Sequence, residues 1–110
     1  MSIPVALADL QMQISRSGPR ALLVTTSSNG PPHVASVVVT FAGDDLAMSV
    51  GRKTRANASE HSSVTLVWPI AADRDYCLIV DAAAPPEPAE PFVVRPTSAV
   101  LHRLASVSSC

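Results

Sequence analysis

Aromatic residues are scarce in this chain of 110 residues, where one tryptophan, one tyrosine and two phenylalanines make up 4% of the sequence. That scarcity disfavours a nucleic-acid surface built on stacked rings. The net charge of −1 gives no general attraction to nucleic acid or to anionic lipid. No apolar run approaches the ~18–20 residues of a transmembrane helix. We therefore expect neither nucleic acid nor a membrane as partner, and any anion must be recognised by local charges.

Cysteine is also rare, since the sequence contains only two. Cys77 lies in an apolar, strand-like run, which predicts a buried and reduced thiol. Cys110 ends the polar segment 105–110, which we predict to be a mobile tail. Two such cysteines form no disulfide framework, and a reducing, cytoplasmic location fits both. The three histidines are not spaced as a metal-binding set, so no metal site is predicted.

Aliphatic residues are abundant, because 47% of the chain is hydrophobic and the mean hydropathy is +0.28. The length predicts a single domain over 1–110, and a domain of this size buries only about 60–70% of the surface of its unfolded chain. The composition therefore predicts surplus apolar surface. The usual way to cover such a surface is a homo-oligomer with an apolar interface.

The pattern of apolar residues predicts a helix followed by strands. Leu7, Leu10 and Ile14 recur at helical spacing within 1–18, and Gly18 ends that helix. Six later segments are β-branched or alternate in polarity, with one short helix after the third of them. The predicted strands are 21–27, 34–41, 46–50, 64–68, 76–82 and 92–104. Because hairpin turns dominate, a small antiparallel barrel is the expected closure.

A proline-rich stretch interrupts this pattern between the fifth and sixth predicted strands. Four prolines fall within 85–91, and such a segment cannot pair inside a sheet. We predict a stiff, extended connector.

The segment SVGRKTRANASEH places three of the eight basic residues at the start of the short helix. The three residues are Arg52, Lys53 and Arg55. Cations are unfavourable at this position, because the N-terminus is the positive end of the helix dipole. A bound phosphate would reverse that effect, because the free N–H groups of the first turn and the cations would converge on it. Thr54 offers a hydroxyl, and Asn57 an amide that could face either the ligand or the preceding turn.

Two interpretations of this cluster remain open. No acidic residue lies between Asp45 and Glu60 to neutralise it, which favours a bound anion. The alternative is a basic helix face that is simply solvated. Other candidate sites are weaker: Asp73, Arg74 and Asp75 are most simply a solvated loop, and Trp68 is predicted to pack in the core.

The order of these elements resembles the pyridoxamine 5′-phosphate oxidase-like family of FMN-binding split barrels. The resemblance runs from about Arg20 to Arg103, and its most specific part is LAMSVGRKTRANASEHSSVTLVW, in which a strand, a basic motif, a helix and a strand ending in tryptophan follow one another. The segment PTSAVLHR is similar to the last barrel strand of short bacterial members. The resemblance implies a mainly β fold, a six-stranded antiparallel split barrel with an N-terminal helix and one short connecting helix.

The resemblance also assigns residues to the phosphate end of a cofactor. Arg52 and Lys53 match the pair that grips the FMN phosphate. Met48 and Ser49 match the strand end beside the ribityl chain and phosphate. Gly51 replaces the serine often found before the basic pair.

A second group of residues matches the ring end of the cofactor. Ser36, Val37 and Val38 match the strand whose backbone borders the isoalloxazine ring. Tyr76 matches a position that in some members contacts the ring from the neighbouring subunit. The implied assembly is a homodimer with the cofactor at its interface.

Two functions follow as expectations. The first is an FMN-dependent, or deazaflavin-dependent, oxidoreductase that acts on an unknown small substrate. The second is a non-catalytic module that binds or sequesters a flavin, a deazaflavin or haem. No catalytic residue is identified by the sequence.

Overall fold

The computed structural model describes residues 2–70 and 75–103, and over these ranges it contains eight strands and two α-helices. The strands are β1 Ser2–Pro4, β2 Arg20–Thr25, β3 His33–Val38, β4 Thr40–Ala42, β5 Asp45–Met48, β6 Ser63–Trp68, β7 Tyr76–Ala83 and β8 Phe92–Arg103. The helices are α1 Leu10–Ser17 and α2 Arg52–Glu60, and one turn of 3-10 helix, Leu7–Asp9, precedes α1.

All strand pairs are antiparallel, and the sheet curls. Its hydrogen-bonded order is β3-β2-β6-β7-β8-β5-β4, and β1 pairs separately with β8. β3 and β4 lie at opposite ends of this order, yet Val39 alone separates them in the chain. The sheet must therefore bend round until its two ends meet. The prediction of a mainly β, antiparallel fold with two helices is confirmed, although the structure has more strands than the six predicted.

The first additional strand, β1, lies inside the segment 1–18 that was predicted to be entirely helical. Ser2–Pro4 pairs with β8 from His102 to Val100, on the side of β8 that β5 occupies only near Phe92. β1 thus covers backbone groups of the long β8 that would otherwise lack partners. The α-helix begins only at Leu10, and it ends as predicted at Gly18, whose N–H donates to the Ile14 carbonyl at 2.9 Å.

The second additional strand, β4, arises because the predicted strand 34–41 is broken. Val39 leaves the sheet and donates its N–H to the Pro19 carbonyl at 2.7 Å. The break allows the chain to pass directly from one end of the curled sheet to the other. The run of β-branched residues from Val37 to Thr40 carries no local signal of it.

The core lies inside the curl, and the longer strands bury alternate residues there, whereas β1 and β4 bury none. Trp68 and Phe92 are its largest buried side chains, and the indole N–H of Trp68 donates to the Gly18 carbonyl at 2.8 Å. The prediction that Trp68 packs in the core is confirmed. The prediction of a buried Cys77 was wrong: this residue lies near the start of β7, opposite His102, and is only partly buried.

Several predictions concern parts of the chain that lie outside the described residues. These are the loop residues Asp73 and Arg74 and the tail 105–110 with Cys110. Of the helices in the described ranges, none has the length and apolar character needed to cross a bilayer.

Candidate functional site

A cleft of about 870 Å³ opens where the two ends of the curled sheet face one another. One wall comes from β2 and β3, and the other comes from β4, β5 and the residue that follows β5. Pro69 and Pro91 complete the lining. Its volume falls within the ~300–1,000 Å³ typical of small-molecule sites.

Five of the ten predicted site residues line this cleft. They are Ser36, Val37, Val38, Met48 and Ser49. The first three belong to β3 and the last two to the end of β5 and its next residue, so the curl of the sheet brings together segments that the sequence keeps apart. Val37 and Met48 are almost fully buried, whereas Val38 is 56% exposed and provides apolar surface at the opening.

The start of α2 lies next to this cleft along the chain but does not line it. Ser49 is a lining residue, and Arg52 begins the helix three residues later, so the chain limits their Cα separation to about 11 Å. The N-cap residue Gly51 provides no side-chain cap, and the space beside its Cα is open. The first-turn N–H groups therefore have no capping side chain from Gly51.

The cations at this helix start differ in their surroundings. The side chains of Arg52 and Lys53 are exposed, and over residues 2–70 and 75–103 neither has a hydrogen bond or an ion pair. Arg55 instead donates to the Val50 carbonyl at 2.9 Å and forms an ion pair with Glu90 at 3.2 Å. The positive end of α2 therefore presents two unpaired cations rather than three.

Glu90, which lies outside the segment between Asp45 and Glu60, pairs with one of the three cations, Arg55. Its carboxylate accepts from the Val50 N–H at 2.9 Å as well as from Arg55, and it comes from the end of the proline-rich connector 85–91. No residue of that connector is in a strand, as predicted. The connector thus fixes the turn between β5 and α2, immediately beside the cleft lining residue Pro91.

Thr54 and Asn57 are both buried within the fold. The Asn57 amide donates to the Thr25 hydroxyl at 3.2 Å, so it joins α2 to the inner face of β2 and does not face the helix start. Thr25 is itself fully buried. The sequence analysis considered an Asn57 amide that faces either the ligand or the preceding turn. In the structure the amide faces Thr25 instead, and it connects α2 to β2.

We expect Asn57→Ala to lower the free energy of unfolding by about 1–3 kcal/mol, because it leaves the buried Thr25 hydroxyl without its partner. Ser59→Ala is the matched control on the exposed face of the same helix, and its effect should stay within about 0.5 kcal/mol. Urea unfolding of both variants measures the difference. Equal stability of the two variants would show that the Asn57–Thr25 contact contributes nothing to the fold.

A search for known proteins with this architecture finds one already solved. The crystal structure of a "Putative Pyridoxamine 5'-phosphate oxidase" from Listeria innocua superposes with a TM-score of 0.65. The match covers 87% of this chain and 98% of the Listeria chain, at 13% sequence identity. The two proteins share a fold. No protein-family model and no curated protein matches the sequence.

Tyr76 is placed away from the cleft lining. It opens β7, where it pairs with Arg103 at the far end of β8, and its side chain is partly buried. Within a single chain, the tyrosine therefore contributes nothing to the lining of the cleft.

Sequence reasoning missed one charged residue of the cleft, Arg20. It begins β2 and lies opposite Val38 of β3. Nothing local marks Arg20 as a site residue, since it looks like an ordinary exposed residue after Gly18 and Pro19. Only the register between β2 and β3, together with the curl of the sheet, places it at the cleft.

The outer face of the sheet carries a continuous row of half-buried or exposed residues. Cross-strand partners lie on the same face, and the pairings link six strands in this row. Its members are Pro4, Val100, Ile79, Val67, Leu22 and Ser36. Val34 and Val38, which are 55% and 56% exposed, extend the apolar surface along β3 to the cleft.

Proposed function

We propose that this protein binds FMN, with the phosphate at the start of α2 and the ring in the cleft, and that it is an oxidoreductase acting on a small substrate. One observation carries the proposal. An uncapped, cationic helix start stands within a few residues of a largely apolar cleft, in a fold shared with the Listeria structure.

The residues at the helix start fit a phosphate. Arg52 and Lys53 are unpaired in the described part of the chain, and Gly51 has open space where a side chain would begin. A phosphate placed there would accept hydrogen bonds from both cations and from the backbone, and it would gain from the helix dipole. Arg55 would act indirectly, because its ion pair with Glu90 holds the turn in place.

The cleft fits a flat, partly polar ring. Val37 and Met48 give apolar walls, and Ser36 and Ser49 add hydroxyl groups. β3 is an edge strand of the sheet, since it pairs only with β2 in the hydrogen-bonded order of the described strands. The other edge of β3 therefore presents backbone donors and acceptors. Those groups would bind the polar rim of the ring, as the assignment of Ser36, Val37 and Val38 requires.

The chemistry under this proposal comes from the cofactor, since a bound flavin supplies hydride transfer. The residues of this chain bind and orient. Arg52 and Lys53 anchor the phosphate, the β3 edge fixes the plane of the ring, and the apolar walls exclude water from one face of it.

A homodimer forms part of the proposal. On the outer face, the row that links six strands contains five apolar residues and Ser36, and Val38 extends the apolar surface to the cleft. A contiguous apolar surface of this kind is typical of an interaction site. A second copy seated on this face would bury the row and close the open side of the cleft. In such a dimer Tyr76 could reach the cleft of the neighbouring copy.

We expect Val67→Glu to convert the dimer into a monomer, because it places a charge in the middle of the apolar row. Met12→Glu is the matched control, since Met12 is an exposed apolar residue on α1, away from that row. Analytical ultracentrifugation measures both. A wild-type protein that sediments as a monomer, or a Val67→Glu variant that remains dimeric, would contradict this part of the proposal.

The alternative is a module that holds a flavin, a deazaflavin or haem without turnover. One feature favours it: among the described residues that line the cleft there is no carboxylate, histidine or cysteine that could transfer a proton. Oxidation of reduced cofactor in the presence of a panel of dyes and quinones separates the two functions. Turnover supports the enzyme, and stoichiometric cofactor without turnover supports the module.

The absorption spectrum of the freshly purified protein tests the cofactor assignment. Bound FMN gives the flavin bands, whereas a deazaflavin or a haem Soret band would assign a different cofactor. If the protein is colourless and stays so after incubation with FMN, the proposal fails.

A further inference from the structure

Arg20 is the charged residue of the cleft in the described part of the chain, and the proposed function leaves it without a role. Its side chain is exposed on the same face of the sheet as Leu22 and Val38. Over residues 2–70 and 75–103 it has no ion pair and no hydrogen bond. The guanidinium of Arg20 therefore has no protein partner in these ranges and is available to a ligand in the cleft.

The rest of the lining contains nothing that would balance this charge. The described lining residues include no aspartate and no glutamate, and their polar side chains other than Arg20 are the hydroxyls of Ser36, Thr40 and Ser49. A site with one net positive charge and several hydroxyls is complementary to a molecule with one negative charge.

Arg20 and the phosphate-binding residues of the proposal lie on different walls. Arg20 belongs to the β2–β3 wall, whereas Arg52 and Lys53 follow the β5 wall and do not line the cleft. On this assignment Arg52 and Lys53 hold a phosphate at the start of α2, and Arg20 remains for a second anion. The two positions call for two anions.

We propose that the cleft accepts, beside the cofactor, a small planar molecule bearing one carboxylate, and that Arg20 pairs with this carboxylate. The inference rests on the proposed function, since it names the class of substrate or ligand for the same cleft. A guanidinium binds a carboxylate through two parallel N–H···O bonds, which fixes orientation as well as charge. The apolar surface of Leu22 and Val38 would support the flat part of the molecule.

Titration of the FMN-loaded protein with benzoate and with benzamide tests the inference, because the two probes share size and shape and differ in charge. Binding is followed by the change in the flavin absorption spectrum and by calorimetry. We expect benzoate to bind at least tenfold more tightly than benzamide. Arg20→Gln should weaken benzoate binding at least tenfold and leave benzamide binding unchanged, because benzamide has no carboxylate for Arg20 to pair with.

Equal binding of the two probes, no benzoate binding, or an unchanged benzoate affinity in Arg20→Gln would overturn the inference while leaving the FMN proposal intact. If FMN itself does not bind, the proposed function fails. Calorimetry with benzoate on the cofactor-free protein then decides the role of Arg20 separately, since loss of benzoate binding in Arg20→Gln would retain the carboxylate site and an unchanged affinity would remove it.

Discussion

Replacing Arg52 and Lys53 together with alanine is expected to reduce the affinity for FMN on the order of 100-fold. A hydrogen bond to a charged group contributes about 1.5–3 kcal/mol. Both side chains are exposed, so we take the low end for each, which gives roughly 3 kcal/mol for the pair, and every ~1.4 kcal/mol changes Kd tenfold. Flavin fluorescence titration of the variant and the wild type measures the change.

The matched control is the double variant Arg95→Ala and Arg103→Ala. It removes the same charge from two exposed positions of β8 that do not line the cleft. FMN affinity in this control should change less than threefold at physiological salt, because distant exposed charges are screened. Equal losses in the two double variants would mean that only the overall charge matters, and the phosphate assignment would then be wrong.

Replacing Trp68 with alanine is expected to have the largest effect on stability, a loss of about 3–5 kcal/mol in the free energy of unfolding. The side chain is 1% exposed, and its indole N–H joins the end of β6 to Gly18, where α1 ends. The substitution removes both a large buried volume and this link. For a small domain, such a loss is a large fraction of the total stability.

Trp68→Phe separates the two contributions. It keeps an aromatic ring in the core but removes the donor to the Gly18 carbonyl, so we expect about 1–3 kcal/mol for this variant. Urea unfolding followed by far-UV circular dichroism measures both variants, since tryptophan fluorescence is lost in them. A Trp68→Ala variant as stable as Trp68→Phe would contradict the packing contribution.

The strands from Arg20 onward, apart from the break that separates β3 from β4, could be predicted because their signal is local. β2 and β6 bury every second residue, and this alternation is visible in the sequence itself. β1 could not be found in this way. It is three residues long, and it forms because the edge of β8 near Val100 needs backbone partners, which is a property of the far end of the chain.

The candidate site could be predicted only in part for the same reason. The basic motif at Arg52 and Lys53 is contiguous, so the sequence alone is enough to make it a candidate phosphate site. The ion pair of Arg55 with Glu90 depends on the path of the proline-rich connector, and the position of Arg20 depends on the strand register with Val38. Neither has a local signal. The orientation of the Asn57 amide could not be predicted either, because the sequence of a short helix does not show whether such a side chain faces a ligand or, as here, Thr25.

The comparison of FMN with riboflavin tests the central claim most directly, because the two ligands share the ring and differ in the phosphate. We predict that the wild-type protein binds FMN on the order of 100-fold more tightly than riboflavin, and that the double variant at Arg52 and Lys53 loses most of this difference. Equal affinity of the wild-type protein for the two ligands, or binding of neither, would contradict a phosphate site at the start of α2.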